Sequence, residues 1–279
     1  MEKTNKAISI KRTARIIASD NYDKKNIFIF FALNLIISTI ITFAIPLKIT
    51  TYQQIIENIS SIITVSIIAI IGGFWVSGVA LTSYNNAIKR QKGVVPNSFN
   101  NIGIYYLNGL MYGVGVTINI LLITAITFII AIPLSQLTTN YWLIFSVLLI
   151  PCLFLVMIFF GTIFNFYTTL KFTDLFNYSK AFKFMTDASE LFWSIFWRST
   201  ALMVIFATGL IICSTVLGMF LAPMMLMGKM ETAMQASNII GSIFGCAIGC
   251  IFQIYLIELT AQFIRAVLKK QQNINIQEQ

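Results

Sequence analysis

Between Tyr141 and Phe166 the chain runs for 26 residues without a charged side chain. A helix needs about 20 mainly apolar residues to cross the hydrocarbon core of a bilayer. Inside that core every backbone N–H and C=O must find its partner within the segment, so an apolar run of this length folds as a helix. The sequence holds six such runs, at about 27–45 (closed by Pro46), 61–84, 108–132, 141–166, 200–221 and 238–264. The expectation is an all-α polytopic membrane protein of six transmembrane helices. Residues 1–26 form a basic amphipathic segment before the first span and 265–279 a polar tail after the last. The first run exceeds the ~7–15 residues of a signal-peptide core and follows a long basic leader, so it reads as a span. Composition agrees with a lipid solvent: 57% of residues are hydrophobic and 10% charged, against roughly 25% charged in soluble domains. The mean hydropathy is +0.82.

Basic residues set the orientation. Lysine and arginine concentrate in the cytoplasmic segments of membrane proteins. Six spans put 17 of the 19 basic residues on the side that holds both termini and the connections around Lys89 and Lys180; Lys48 and Lys229 fall on the other. Both termini are therefore expected in the cytoplasm. The net charge of +9 then reflects topology. It needs no nucleic-acid partner, and no nucleic-acid-binding motif is present.

A start signal recurs along the chain. Ser19-Asp20-Asn21-Tyr22-Asp23 follows the amphipathic stretch Ile8–Ala18 and precedes the first span. Thr186-Asp187-Ala188-Ser189-Glu190 stands in the same place before the fifth. Asp20 and Asp187 are candidate N-caps, and Glu190 lies three residues after Asp187, the spacing of a capping box. The expectation is a short interfacial helix over about 176–185, a turn, and a new helix from near Asp187 into the fifth span. On a helical wheel Phe182, Met185, Ala188 and Phe192 share the apolar face, and Trp193 and Trp197 supply aromatic anchors at the headgroup level. With a weaker third version over Val95–Leu110, this suggests three repeated units, each a surface helix followed by a helical pair.

Within the spans, small residues and isolated polar groups carry the information. Gly241, Gly245 and Gly249 form a double GxxxG ridge, Gly109 with Gly113 a second, and Gly73 with Ser77 a small-xxx-small pair. Such ridges let helix backbones approach closely. Packing inside the bundle is the leading expectation for the sixth-span ridge; a homodimer or a membrane-protein partner is the alternative. Glu258 is the one acidic residue inside a span, with Arg265 seven positions on along the same face. Asn119 and Asn165 lie at membrane depth, where amides commonly bond between helices. These four are the candidate polar or transport residues. Cys246 and Cys250, four apart, read as packing residues. The sequence has no histidine and no phosphate loop or carboxylate cluster, so no catalytic, cofactor-binding or metal-ligating set is assigned, and the expectation is a protein that is not an enzyme. Its surroundings are the lipid bilayer itself.

The stretch IASDNYDKKNIFIFFALNLIIS, with IGGFWVSGVALTSYNNAIKRQKGVVPNSFNNIGIYYLNGLMYGVG after it, resembles a prokaryotic membrane family, the one numbered four thousand and thirteen among the domains of unknown function. The likeness rests on the acidic turn before the first span, the basic loop leading to Pro96 and Phe99, and the Gly109-Leu110 pair. It covers about residues 10–270. It implies a multi-span α-helical membrane protein and supplies no catalytic residues. The layout is similar to the membrane domains attached to some glycerophosphodiester phosphodiesterases, without their soluble catalytic domain. Asp187-Ala188-Ser189 faintly resembles the turn in the coupling loop of ABC importer permeases, with Asp187 where that turn has glycine. The functional expectation is a transport-related or envelope-associated component. A scaffold binding a partner through its cytoplasmic surface helices, or an ABC-type permease subunit, is the alternative.

Overall fold

The computed structural model describes residues 9–19, 22–44, 56, 59–226 and 230–277. Its elements are α1 (Ile10–Ile17), α2 (Lys24–Ala44), α3 (Ile59–Ile88), α4 (Ile102–Leu137), α5 (Tyr141–Thr169), a 3-10 turn (Phe172–Leu175), α6 (Tyr178–Leu226) and α7 (Met230–Gln277). No strand occurs among the described residues. The five helices α3 to α7 contain stretches long and apolar enough to cross a membrane. Local signals set several ends. The Asn140 side chain accepts hydrogen bonds from the Trp142 and Leu143 amides at the start of α5. At its other end the Asn85 amide donates to the Tyr167 and Thr168 carbonyls, groups that a helix C-terminus leaves unpaired.

The long helices overshoot the expected spans. α6 and α7 have 49 and 48 residues, about 70 Å each at 1.5 Å per residue, more than twice a ~30 Å hydrocarbon core. They run antiparallel in constant register. The Phe206 and Phe252 rings are 5.1 Å apart. Nineteen residues back along α6 and nineteen forward along α7, Gln271 donates to Asp187 over 2.8 Å. The helix therefore does not restart at Asp187, and neither Asp187 nor Glu190 is an N-cap. Asp187 holds Gln271, and Glu190 pairs with Lys270 at 3.2 Å. The reason lies in the flanking pattern. Ala181, Phe184, Met185, Ala188, Leu191 and Ile195 form one buried stripe straight through the expected break, with a helical spacing that no glycine or proline interrupts. Asp20, the other proposed cap, lies outside the described residues.

The core gathers at one end. Tyr22, Phe30, Val79, Ala87, Phe184, Ala188, Ile257 and Phe263 belong to a single buried cluster. α3 and α4 cross there with their backbones touching: a Cβ on Gly78 would land on the Tyr105 carbonyl, and one on Gly109 on the Phe74 carbonyl. Gly113 faces the Phe74 ring. The Gly109–Gly113 ridge thus packs inside the molecule, against Phe74 and Gly78 of α3, whereas Gly73 has nothing among the described residues within 4 Å. Gly241, Gly245 and Gly249 likewise have nothing among the described residues within 4 Å, which corrects their expected role in packing within the chain. The buried positions of α7 include Cys250, Ile254, Ile257, Ala261 and Ile264. That stripe is set one residue on from the glycines, about 100° around the axis.

Candidate functional site

Glu258 sits in the packed end with 1% of its surface exposed. A carboxylate taken out of water is tolerated only when paired and hydrogen-bonded, and the chain supplies three donors. Arg265 reaches Oε1 at 2.6 Å and Gln262 Nε2 reaches the same oxygen at 3.3 Å. The Tyr22 hydroxyl donates to Oε2 at 3.0 Å. Glu258, Gln262 and Arg265 stand at i, i+4 and i+7 on α7, one face of the helix; Tyr22 comes from the short link between α1 and α2. Burial first, and the neighbouring carboxylate second, push the Tyr22 phenol well above its usual range, so it remains a donor.

The network extends to two further elements. Gln262 Nε2 also donates to Thr13 Oγ1 of α1 at 3.1 Å, and its Oε1 accepts from the Ser9 amide at 3.3 Å. Arg265 spends its second guanidinium nitrogen on the Ala87 carbonyl in the last turn of α3, at 2.9 Å. One carboxylate thereby ties α1, the link after it, α3 and α7. A cavity of about 210 Å³ opens beside it, lined by Arg12, Arg90, Gln91, Glu258 and Arg265 among others.

Arg90 closes α3 in an unusual way. Its φ is 55°, its amide bonds the Ala87 carbonyl and the Gln91 amide bonds the Asn86 carbonyl. This is a Schellman ending with arginine at the left-handed position that glycine ordinarily fills.

The other expected polar residues have surroundings of their own. Asn119 Nδ2 donates to the Gly115 and Leu175 carbonyls at 2.9 and 3.1 Å, and Tyr178 donates to its Oδ1 at 3.0 Å. The amide thereby holds the connection between α5 and α6 against α4. It also marks the polar end of an otherwise apolar cavity of about 340 Å³ lined by Leu122, Ile126, Leu155 and Phe159. Asn165 is buried, and its Nδ2 has no hydrogen-bond partner among the described residues. The structure thus joins Glu258 to Arg265 and gives Asn119 different bonding partners. Tyr22, Thr13 and Gln262 were not singled out by sequence. Only Gln262 carried a signal, one helical turn after Glu258. No family model, curated protein or solved structure matches the chain.

Proposed function

We propose that the chain is a six-span, non-enzymatic component of a prokaryotic inner membrane, with both termini and the packed end in the cytoplasm, and that it is an envelope-associated scaffold holding a partner at its cytoplasmic surface. The span additional to α3–α7 is α2, whose 21 residues extend about 31 Å, the thickness of the hydrocarbon core. The basic-residue asymmetry supports the orientation. The resemblance to the multi-span family of unknown function belongs to the same reading, as does the threefold repeat; α1 followed by α2 is its clearest unit, since α6 runs unbroken.

The observation that carries the scaffold reading is the state of Glu258. A carboxylate that moves ions or protons through a membrane faces a wet path and changes partners. Here both oxygens are engaged, and the bonds fasten the leader helix to α3 and α7. One observation favours a transport-related second reading, permease subunit included: the buried Asn165 Nδ2, without a hydrogen-bond partner among the described residues, is a polar group of the kind that lines a pathway in another conformation. Reconstituted vesicles with an internal pH dye separate the two. The scaffold reading expects proton and small-ion leak equal to that of empty vesicles and unchanged by Glu258→Gln. A flux that depends on Glu258 or Asn165 would overturn it.

A further inference from the structure

We infer that the cavity between α4 and α5 is a binding site for a neutral membrane amphiphile, an apolar chain ending in a hydroxyl group that donates to Tyr178 and Asn119. The cavity measures about 340 Å³, within the ~300–1,000 Å³ usual for small-molecule sites. Its walls are Leu122, Ile123 and Ile126 of α4 and Leu155, Ile158 and Phe159 of α5, with Asn119 and Tyr178 together at one end. None of these described lining residues is charged, so a phosphate or an ammonium would enter without a counter-charge. Leu122 and Ile126 on the rim are 44% and 39% exposed, on a helix long and apolar enough to cross a membrane. A ligand entering there comes from the hydrocarbon and needs an apolar body.

The hydrogen bonds at the polar end decide what the head of that ligand must be. Asn119 has two side-chain N–H donors, and both are committed, to the Gly115 and Leu175 carbonyls. The Tyr178 hydroxyl commits its one hydrogen to Asn119 Oδ1, and the Tyr178 amide bonds the Phe176 carbonyl. What remains on these two side chains are lone pairs, on the Tyr178 oxygen and on Asn119 Oδ1. An end that only accepts selects a head that donates. A hydroxyl in hydrocarbon has no water to bond and gains a partner here, whereas an ether or an anionic head brings acceptors to acceptors. The bond to Leu175, in the 3-10 turn between α5 and α6, fixes the amide before any ligand arrives. The site requires α4 and α5 to lie in a membrane and draws on neither the orientation nor the scaffold role proposed above.

The test uses the full chain in nanodiscs of phosphatidylcholine, with hexadecanol carrying a photoreactive diazirine on its chain as the probe. Irradiation and peptide mass spectrometry then locate the label. The expected result is saturable labelling of the peptides holding Leu122–Ile126 and Leu155–Phe159. Excess plain hexadecanol should reduce it at least about tenfold, and the methyl ether of the same chain, which has no donor, should leave it nearly unchanged. Ile123→Trp, which fills the cavity, should abolish the labelling; Leu121→Trp, on the neighbouring exposed position, should not. The competition is read on the native chain, so it decides the matter even if Ile123→Trp fails to fold. Label spread over exposed Leu121, Phe128 and Ile129 and indifferent to competitor would mean bulk lipid contact only and overturn the assignment. Equal competition by the alcohol and the ether would overturn it as well, since the polar end would then select nothing.

Discussion

The end of the molecule around Glu258 and the far halves of α4 and α5 are built from much the same apolar residues and differ in what covers them. At the packed end, helix backbones touch at Gly78 and Gly109, and a buried carboxylate is matched bond for bond. Along the far halves Leu121, Phe128, Ile129, Trp142 and Ile150 stand exposed, a surface suited to lipid. Lipid tails are as apolar as leucine, so helices gain no hydrophobic free energy by leaving them for one another. Close backbone approach and polar bonds must hold such a bundle together, and both are concentrated at one end.

The sharpest way to break this contrast is a pair of glycine variants. Gly78→Leu puts a side chain where the Tyr105 carbonyl already lies. Overpacking typically costs about 1–3 kcal/mol, occasionally more. A collision with backbone belongs at the upper end, and the expected outcome in detergent is loss of the folded monomer. A Cβ on Gly245 meets nothing among the described residues within 4 Å, and Gly245→Leu should change monomer stability by no more than about 0.5 kcal/mol. If a second copy covers the Gly241–Gly249 ridge, the same variant lowers the dimer fraction on size-exclusion chromatography with light scattering and leaves the monomer intact.

Next in size is Glu258→Ala. Removing one partner of a buried ion pair costs about 3–5 kcal/mol, measured by denaturant unfolding in detergent. A loss below about 1 kcal/mol would mean that the carboxylate is solvated. A pH scan sharpens the same point. The folded protein keeps Tyr22 protonated beyond the ordinary tyrosine value, which lies near 10 in the unfolded chain. Above that pH the unfolded state binds fewer protons than the folded state, so this contribution is present below about pH 10 and lost as pH rises further. The stability gap between the native chain and Tyr22→Phe should therefore narrow between pH 9 and 11 (about one unit either side of the ordinary value). A constant gap contradicts it.

The smallest effect separates a surface contact from a helix cap. Asp187→Ala removes a polar contact to Gln271 within a continuous helix, so the expected loss is at most about 0.5 kcal/mol. A true N-cap would lose about 0.5–2 kcal/mol, with a change in helicity.

The membrane class and most spans were legible because lipid imposes a length and a polarity that single sequences display directly. The Glu258–Arg265 pair was legible too, since seven positions on one helix fix a common face. Tyr22 was not, because it lies 236 residues from its carboxylate and no local pattern announces so distant a bond. At Asp187 the local cap signal was real, and the buried stripe of α6 outweighed it through contacts that only the folded molecule contains. The glycine ridges show the remaining limit. Spacing tells that a backbone can be approached, and the same spacing occurs at Gly109, where α3 arrives, and at Gly245, where nothing among the described residues does.

A double-mutant cycle between Tyr22→Phe and Glu258→Gln tests most directly whether the leader is fastened to the last helix through the buried carboxylate. Unfolding of the native chain, both single variants and the double variant is measured in one detergent. A hydrogen bond to a charged group contributes about 1.5–3 kcal/mol, so the coupling should be at least about 1 kcal/mol. Effects that simply add, within about 0.3–0.5 kcal/mol, would show that Tyr22 and Glu258 do not act together and that the leader is held by something else.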